Sequence, residues 1–306
     1  MRPAPDHGTV EGMTDLEWVR FGTSTWTYEG WQGQVYLRTY VKTAFAPECL
    51  GGYCQYLYKG HPLFRTVGND ATFYRPPSAN QLTRYLTQIP EDFHMCFEVW
   101  EELTIPIYAK HAPYGPRAGQ VNPNFLNAEA FNTLVLQPYR DAHFGPNAGP
   151  FLLEFQRHGM PAEEFLDKLD VFLSRLPTDF RYAVEIRNAG LLGERYHDML
   201  TAHGVAHVYN HWCAMPPLAE QHQRLDTFTA PFTVLRLLTP LKMTYEAAKK
   251  RAEPYDKIVG ELLEMRQDAV NLIRQATREG RSTYVLVNNR AEGNAPLTIQ
   301  ALVDRL

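Results

Sequence analysis

The sequence predicts an α/β fold: a closed, parallel (β/α)8 barrel of the TIM type, in one domain with long βα loops. Three observations lead there. Eight strand-like segments recur along the chain, each followed by a helix candidate. Several of these strands carry ionisable residues inside otherwise apolar runs, which calls for an interior that is enclosed but polar. The 306 residues show no linker-like break, and a barrel of this kind uses about 250 residues plus insertions.

The segment Arg181–Asn188 carries the argument best. It reads Arg-Tyr-Ala-Val-Glu-Ile-Arg-Asn. Strand side chains alternate between faces, so Tyr182, Val184 and Ile186 share one side and Ala183, Glu185 and Arg187 the other. The first side suits packing under helices. The second puts a carboxylate and a guanidinium on the axis of a barrel.

Residues 1–18 lack periodicity and are expected to form a loose tail, with residues 19–306 the barrel domain. Val19–Trp26 alternates and is read as the first strand. A weak helix over Pro47–Lys59 is interrupted by Gly51-Gly52. Phe64–Tyr74 reads as the second strand, stopped by Pro76-Pro77, and Ser78 can cap a helix running to Gln88. Phe93–Trp100 is the third strand. Glu101–Asn127, with four prolines, is a long irregular segment of the kind that forms lids or binding loops. Ala128–Arg140 is helical by pattern. Pro150–Gln156 is the fourth strand, and Phe165, Leu169, Phe172 and Leu176 keep helical spacing. The Glu185 strand is the fifth, followed by a helix over Glu194–His203. Val205–Trp212 and Phe232–Leu238 are the sixth and seventh strands. Ile258 to Ala276 keeps helical spacing until Gly280. Ser282–Asn289 is the eighth strand, and Leu297–Leu306 a final helix.

Composition narrows the function. The net charge is −4, which disfavours nucleic acid as the main partner. No apolar run has the length that spans a bilayer, and Met1–Val10 has no apolar core of a signal peptide, so a cytoplasmic protein is expected. Cys49, Cys54, Cys96 and Cys213 form no Cys-x-x-Cys pair and read as free thiols. An open doubly wound sheet is the alternative architecture, but no Gly-x-Gly-x-x-Gly opens a helix.

In such a barrel the site lies at the C-terminal ends of the strands. Those ends supply Glu98, Glu154 and Glu185 as candidate acid or base groups. They supply Arg187 and Arg236 as candidate clamps for a negative group. Asp70, Tyr74, Asn288, Asn289, Trp26, Trp212 and His211 complete the candidate ligand-binding set. Paired charges that merely fill the barrel are the competing reading for each residue taken singly. Trp26, Trp31, Trp100 and Trp212 fall at or just after strand ends, as plugs or as stacking platforms. His207 and His211 share a strand face, but no metal-ligand spacing accompanies them, so no metal site is assigned. The sequence names no cofactor, and no Gly-x-Ser-x-Gly elbow supports a Ser/His/Asp triad.

Several separated stretches resemble the YecE-like family, also called domain of unknown function 72. They are Phe21-Gly22-Thr23-Ser24-Thr25-Trp26, Ala71-Thr72-Phe73-Tyr74-Arg75, Tyr182-Ala183-Val184-Glu185-Ile186-Arg187, and Val285-Leu286-Val287-Asn288-Asn289 followed by Gly293-Asn294-Ala295-Pro296. The resemblance runs from about Val19 to the C-terminus. It implies a TIM-barrel-like fold and no settled activity. The chain also departs from the family pattern. Gly68 stands where a Glu is common, and Asp70 replaces an Asn. Glu98 stands where Lys is common, and Leu153-Glu154-Phe155-Gln156 replaces Phe-Gln-x-Pro. Together these changes suggest a rewired pocket.

The leading expectation is a barrel that binds or transforms a small polar ligand, anionic or sugar-containing, at its C-terminal mouth. A non-catalytic binding protein with Trp26, Trp31 and Trp212 as an exposed aromatic patch is the alternative. A metal-dependent hydrolase or isomerase is the third reading.

Overall fold

The computed structural model describes residues 15–110, 114–157 and 159–306. Eight parallel strands wind in chain order into a nearly closed barrel: β1 Val19–Thr23, β2 Thr66–Asn69, β3 His94–Glu98, β4 Ala148–Phe155, β5 Tyr182–Ile186, β6 Ala206–His211, β7 Phe232–Leu237 and β8 Ser282–Val287. Each strand is parallel to the next from β2 to β8, and β8 pairs with β1. Helices cover the outside, as right-handed crossovers between parallel strands require. Most of the expected tail lies outside the described residues. Within it, Asp15–Glu17 form one 3-10 turn, and Trp18 O accepts from Thr283 N at 2.8 Å. Among the described residues no helix is long and apolar enough to cross a membrane.

Strand alternation explains the layering. Cys96, Leu152, Ala183, Val208, Val234 and Leu286 belong to one apolar cluster that floors the barrel interior. Val184, Ile186, Tyr209, Leu235 and Val285 point the other way, into the larger cluster shared with the helices. Two residues further along each inward row come Glu98, Glu154, Glu185, Asn210, Arg236 and Asn288. A polar layer therefore lies directly on an apolar one, as the period of two dictates.

The barrel closes at the seam between β1 and β2, where no strand ladder is present among the described residues. Arg65 N donates to Phe21 O at 2.9 Å. The Tyr53 hydroxyl fills the remaining gap. It accepts from Thr23 N at 2.9 Å and lies 3.4 Å from Thr66 O. Two glycines let the strands approach. A Cβ on Gly22 would stand 2.0 Å from Thr66 O, and one on Gly68 would stand 2.8 Å from Ser24 O. Side chains at either position would push the seam apart.

Three segments differ from the sequence expectation. The second strand stops at Asn69, and Ala71–Tyr74 is a helical turn. Thr72 Oγ1 lies 2.7 Å from both Asn69 O and Glu98 O, which ties this turn to the end of β3. The first helix covers Lys42–Cys54 rather than Pro47–Lys59. The long helix begins only at Leu263, because Glu292 takes the preceding amides: Val259 N donates to Glu292 O at 2.7 Å and Leu262 N to its carboxylate. Helices Leu218–Leu225 and Tyr245–Ala252 lie where the sequence marked no bounded helix. The loop after β3 is irregular, as expected, with short 3-10 turns at Glu101–Leu103 and Gly115–Arg117.

The seam generates a prediction. Tyr53→Phe leaves Thr23 N buried without its acceptor and should lower stability by about 1–3 kcal/mol. Gly22→Ala should destabilise far more, because backbone must move. Urea denaturation of both variants measures this; equal stability of Gly22→Ala and the wild type would show that the seam has slack.

Candidate functional site

The polar layer converges on one guanidinium. Arg236 on β7 directs Nη1 to Glu185 on β5 and, at 3.1 Å, to Glu154 on β4. Its Nη2 reaches Glu98 on β3. Arg187, just beyond β5, donates from Nη2 to Glu154 at 2.8 Å and lies 2.6 Å from Glu185. The Glu154–Glu185 pair is in direct register, which places like charges side by side. Two guanidinium groups between them make this arrangement possible. Arg236 is 4% exposed and Glu185 0%.

A cavity of about 290 Å³ opens above this layer, at the C-terminal mouth. Glu98, Glu154, Arg187, Arg236, Asp70, Tyr74, Asn288 and Trp212 line it, and all belong to the expected set. Gln156, Ser24 and Arg290, also at strand ends, line it as well. The guanidinium of Arg187 lies over the Trp212 ring at 4.1 Å, and that of Arg290 over the Tyr245 ring at 4.4 Å. Arg187 keeps Nε and Nη1 without a hydrogen-bond partner, and Ser24 Oγ is likewise unpartnered. These atoms are themselves sealed from water, and since buried donors on a charged group are normally satisfied, this edge of the guanidinium is left unmet by the protein.

The surroundings set the protonation states. Burial pushes the Glu98 carboxyl up to about 7, against the pull of Arg236 and with help from the neighbouring carboxylates. Burial also acts on Glu154, but Arg187 and Arg236 overcome it and bring its carboxyl below the ordinary range. Burial disfavours the charge on Arg236, yet the three carboxylates hold it well above its usual value. Burial raises Asp70, with Arg236 and Arg290 opposing. The cavity thus holds one carboxyl that exchanges its proton near neutrality beside one that stays ionised.

Four expected residues do not line this cavity. Glu185 lies beneath it, fully enclosed by the two arginines. Asn289 Oδ1 accepts from Ala295 N at 2.8 Å and so braces the last helix. His211 donates from Nδ1 to Thr239 O at 2.8 Å, and burial lowers its affinity for a proton. Trp26 is buried against Tyr85 and borders a neighbouring cavity of about 540 Å³ that shares Asp70. Trp31 is buried too, so the exposed patch of Trp26, Trp31 and Trp212 does not exist. His207 bonds Tyr196 on the helix side of β6, away from Glu185. Among the described residues no group of three or more His, Cys, Asp and Glu is placed to hold a metal ion.

Sequence reasoning did not single out Phe73, Leu238 and Tyr245, which also line the cavity. The pattern predicts a strand through Phe73, whereas the structure folds it into the helical turn Ala71–Tyr74. Tyr245 had an available signal: Thr244 precedes it and caps its helix by accepting from Ala247 N.

Removing the central cation should be costly. Arg236→Ala leaves three buried carboxylates facing one another and should destabilise by about 3–5 kcal/mol at pH 7.5. Glu98→Gln keeps the shape and should change stability by less than about 1 kcal/mol. Paired chemical-denaturation curves test the contrast, and similar losses in both variants would refute it.

A family model described as "Protein of unknown function DUF72" matches residues 20–306. A DUF72 family protein from Enterococcus faecalis V583 superposes with a TM-score of 0.65 at 13% identity, covering 94% of this chain and 95% of that one. A DUF72 family protein from Thermotoga maritima MSB8 gives 0.61 at 20% identity, covering 94% and 98%. No curated protein matches the chain. At these identities the structural likeness speaks for the fold, and the family model speaks for descent. The YecE-like resemblance and the DUF72 match are one family, and the chain belongs to it.

Proposed function

We propose that the barrel mouth binds a small polar ligand with a negatively charged group and that Glu98 moves a proton on it. The observation that carries this reading is the position of Glu98. Burial pushes its carboxyl up to about 7, and it lines the same cavity as Arg187, whose guanidinium lies over the Trp212 ring. A general acid or base works best when its proton affinity matches the operating pH.

The other residues take supporting roles in this reading. Arg187, whose guanidinium lies over the Trp212 ring and borders the cavity, supplies the positive charge for the anion. Asn288, Ser24 and Asp70 offer hydrogen bonds to hydroxyls, which suits a sugar-bearing ligand. Arg236 spends both terminal nitrogens on carboxylates and so acts as the organiser of Glu98, Glu154 and Glu185. Glu154 and Glu185 hold the arginines in place.

Sulfate is the appropriate probe, because it does not titrate between pH 6 and 8. Below about pH 7 Glu98 carries its proton and the cavity accepts an anion. Above it, Glu98 is ionised and repels one. Sulfate affinity measured by calorimetry should fall on the order of tenfold from pH 6 to pH 8. Glu98→Gln should remove most of that fall, and Arg187→Lys should weaken binding at both values. Wild-type affinity that does not change with pH, or an Arg187→Lys variant that binds sulfate normally, would defeat the proposal.

A further inference from the structure

A larger hollow opens beside the charged cavity, and the two share Phe73 and Gln156. Its volume is about 1270 Å³. The long loop after β3 forms one wall, and the helix Ala162–Leu173 after β4 forms the other. Its chemistry is the opposite of its neighbour's. Ile105, Ile107, Val121 and Val171 line it. Three of these are left in water: Val121 is 75% exposed, Ile107 54% and Val171 50%. Grouped exposed aliphatics of this kind mark a surface that something else covers.

The loop wall is held open by its own polar bonds. The buried Glu102 carboxylate accepts from the Tyr108 hydroxyl at 2.6 Å and from Arg117. Asn122 Nδ2 donates to Glu102 O at 2.7 Å and to Ile105 O at 2.8 Å. These bonds brace the described backbone on either side of Ile107 and Val121, which lowers the ordering a ligand would have to bring about.

We infer that the ligand of the charged cavity carries an aliphatic arm and that this hollow receives it. The inference rests on the proposed anionic head at Arg187. Continuity identifies the occupant. Phe73 and Gln156 border both cavities, so a molecule anchored at Arg187 that extends past them reaches the apolar hollow. Glu164, Asp167 and Lys168 border the same hollow. Such charges suit a slender chain with water beside it better than a broad apolar protein face.

A series of inorganic, methyl, butyl and octyl phosphate, titrated calorimetrically at pH 6 below any micelle-forming concentration, tests this. Affinity should rise about two- to fourfold for each methylene that leaves water. Val121→Glu, at an exposed position, should return octyl phosphate to the affinity of methyl phosphate and leave inorganic phosphate unchanged. Arg187→Lys should weaken every member by one common factor. Binding of inorganic phosphate with no dependence on chain length would overturn the arm and leave the anionic head standing. A chain dependence that survives Val121→Glu would place the chain elsewhere and overturn it equally. If inorganic phosphate fails to bind while octyl phosphate and neutral octyl glucoside bind alike, the head falls, and the two-part ligand with it. No binding by any member would overturn both.

Discussion

One guanidinium inside a nearly closed barrel organises the polar layer of this molecule. Arg236 meets carboxylates from three different strands, and without it those carboxylates would face one another as like charges largely removed from water. A surface arginine could not do this, because solvent would screen the interaction and loosen the geometry. Here the backbone ladders fix the distances. The acids therefore differ in state although they are the same kind of group. Glu154 touches both arginines and stays ionised, while Glu98 touches only Arg236 and titrates near neutrality. Environment, not residue type, separates the roles.

The barrel is asymmetric, and that asymmetry places the cavities. On the β1–β2 side, Gly22, Gly68 and the Tyr53 hydroxyl draw the strands together, and the cavity of about 540 Å³ bordered by Trp26 and Asp70 lies beyond their ends. At Gly68 a side chain would meet the Ser24 backbone, so this strand carries no inward group there. The acids reside instead on β3, β4 and β5. The long loop also follows β3, so the enlarged mouth and the charged layer lie on the same side. That loop is not slack connection: a buried glutamate, a tyrosine, an arginine and an asparagine bond it to itself.

Much of the fold was legible in the sequence because it rests on local periodicity. The alternation in Arg181–Asn188 placed Glu185 and Arg187 inward, and the same parity holds for Glu98, Glu154 and Arg236. Where local pattern competed with distant partners, it misled. The run after Asn69 alternates like a strand, yet Thr72 bonds to the end of β3 and bends it into a turn. The helical spacing from Ile258 was cut short because Glu292, thirty residues on, takes the Leu262 amide.

The sequence by itself determined that the chain is a parallel barrel and that acids and arginines share its interior, since a period of two leaves few other places for them. It could not rank those residues. Which carboxylate is sealed beneath the layer and which arginine bridges three carboxylates depend on contacts between strands far apart in the chain. Tertiary structure alone decided that Glu185 is enclosed, that Asn289 braces a helix, that Trp26 faces Tyr85, and that an apolar hollow adjoins the charged one. The physical reason is that strand periodicity fixes only the direction of a side chain. Its burial, its partners and its proton affinity arise from everything that converges on it.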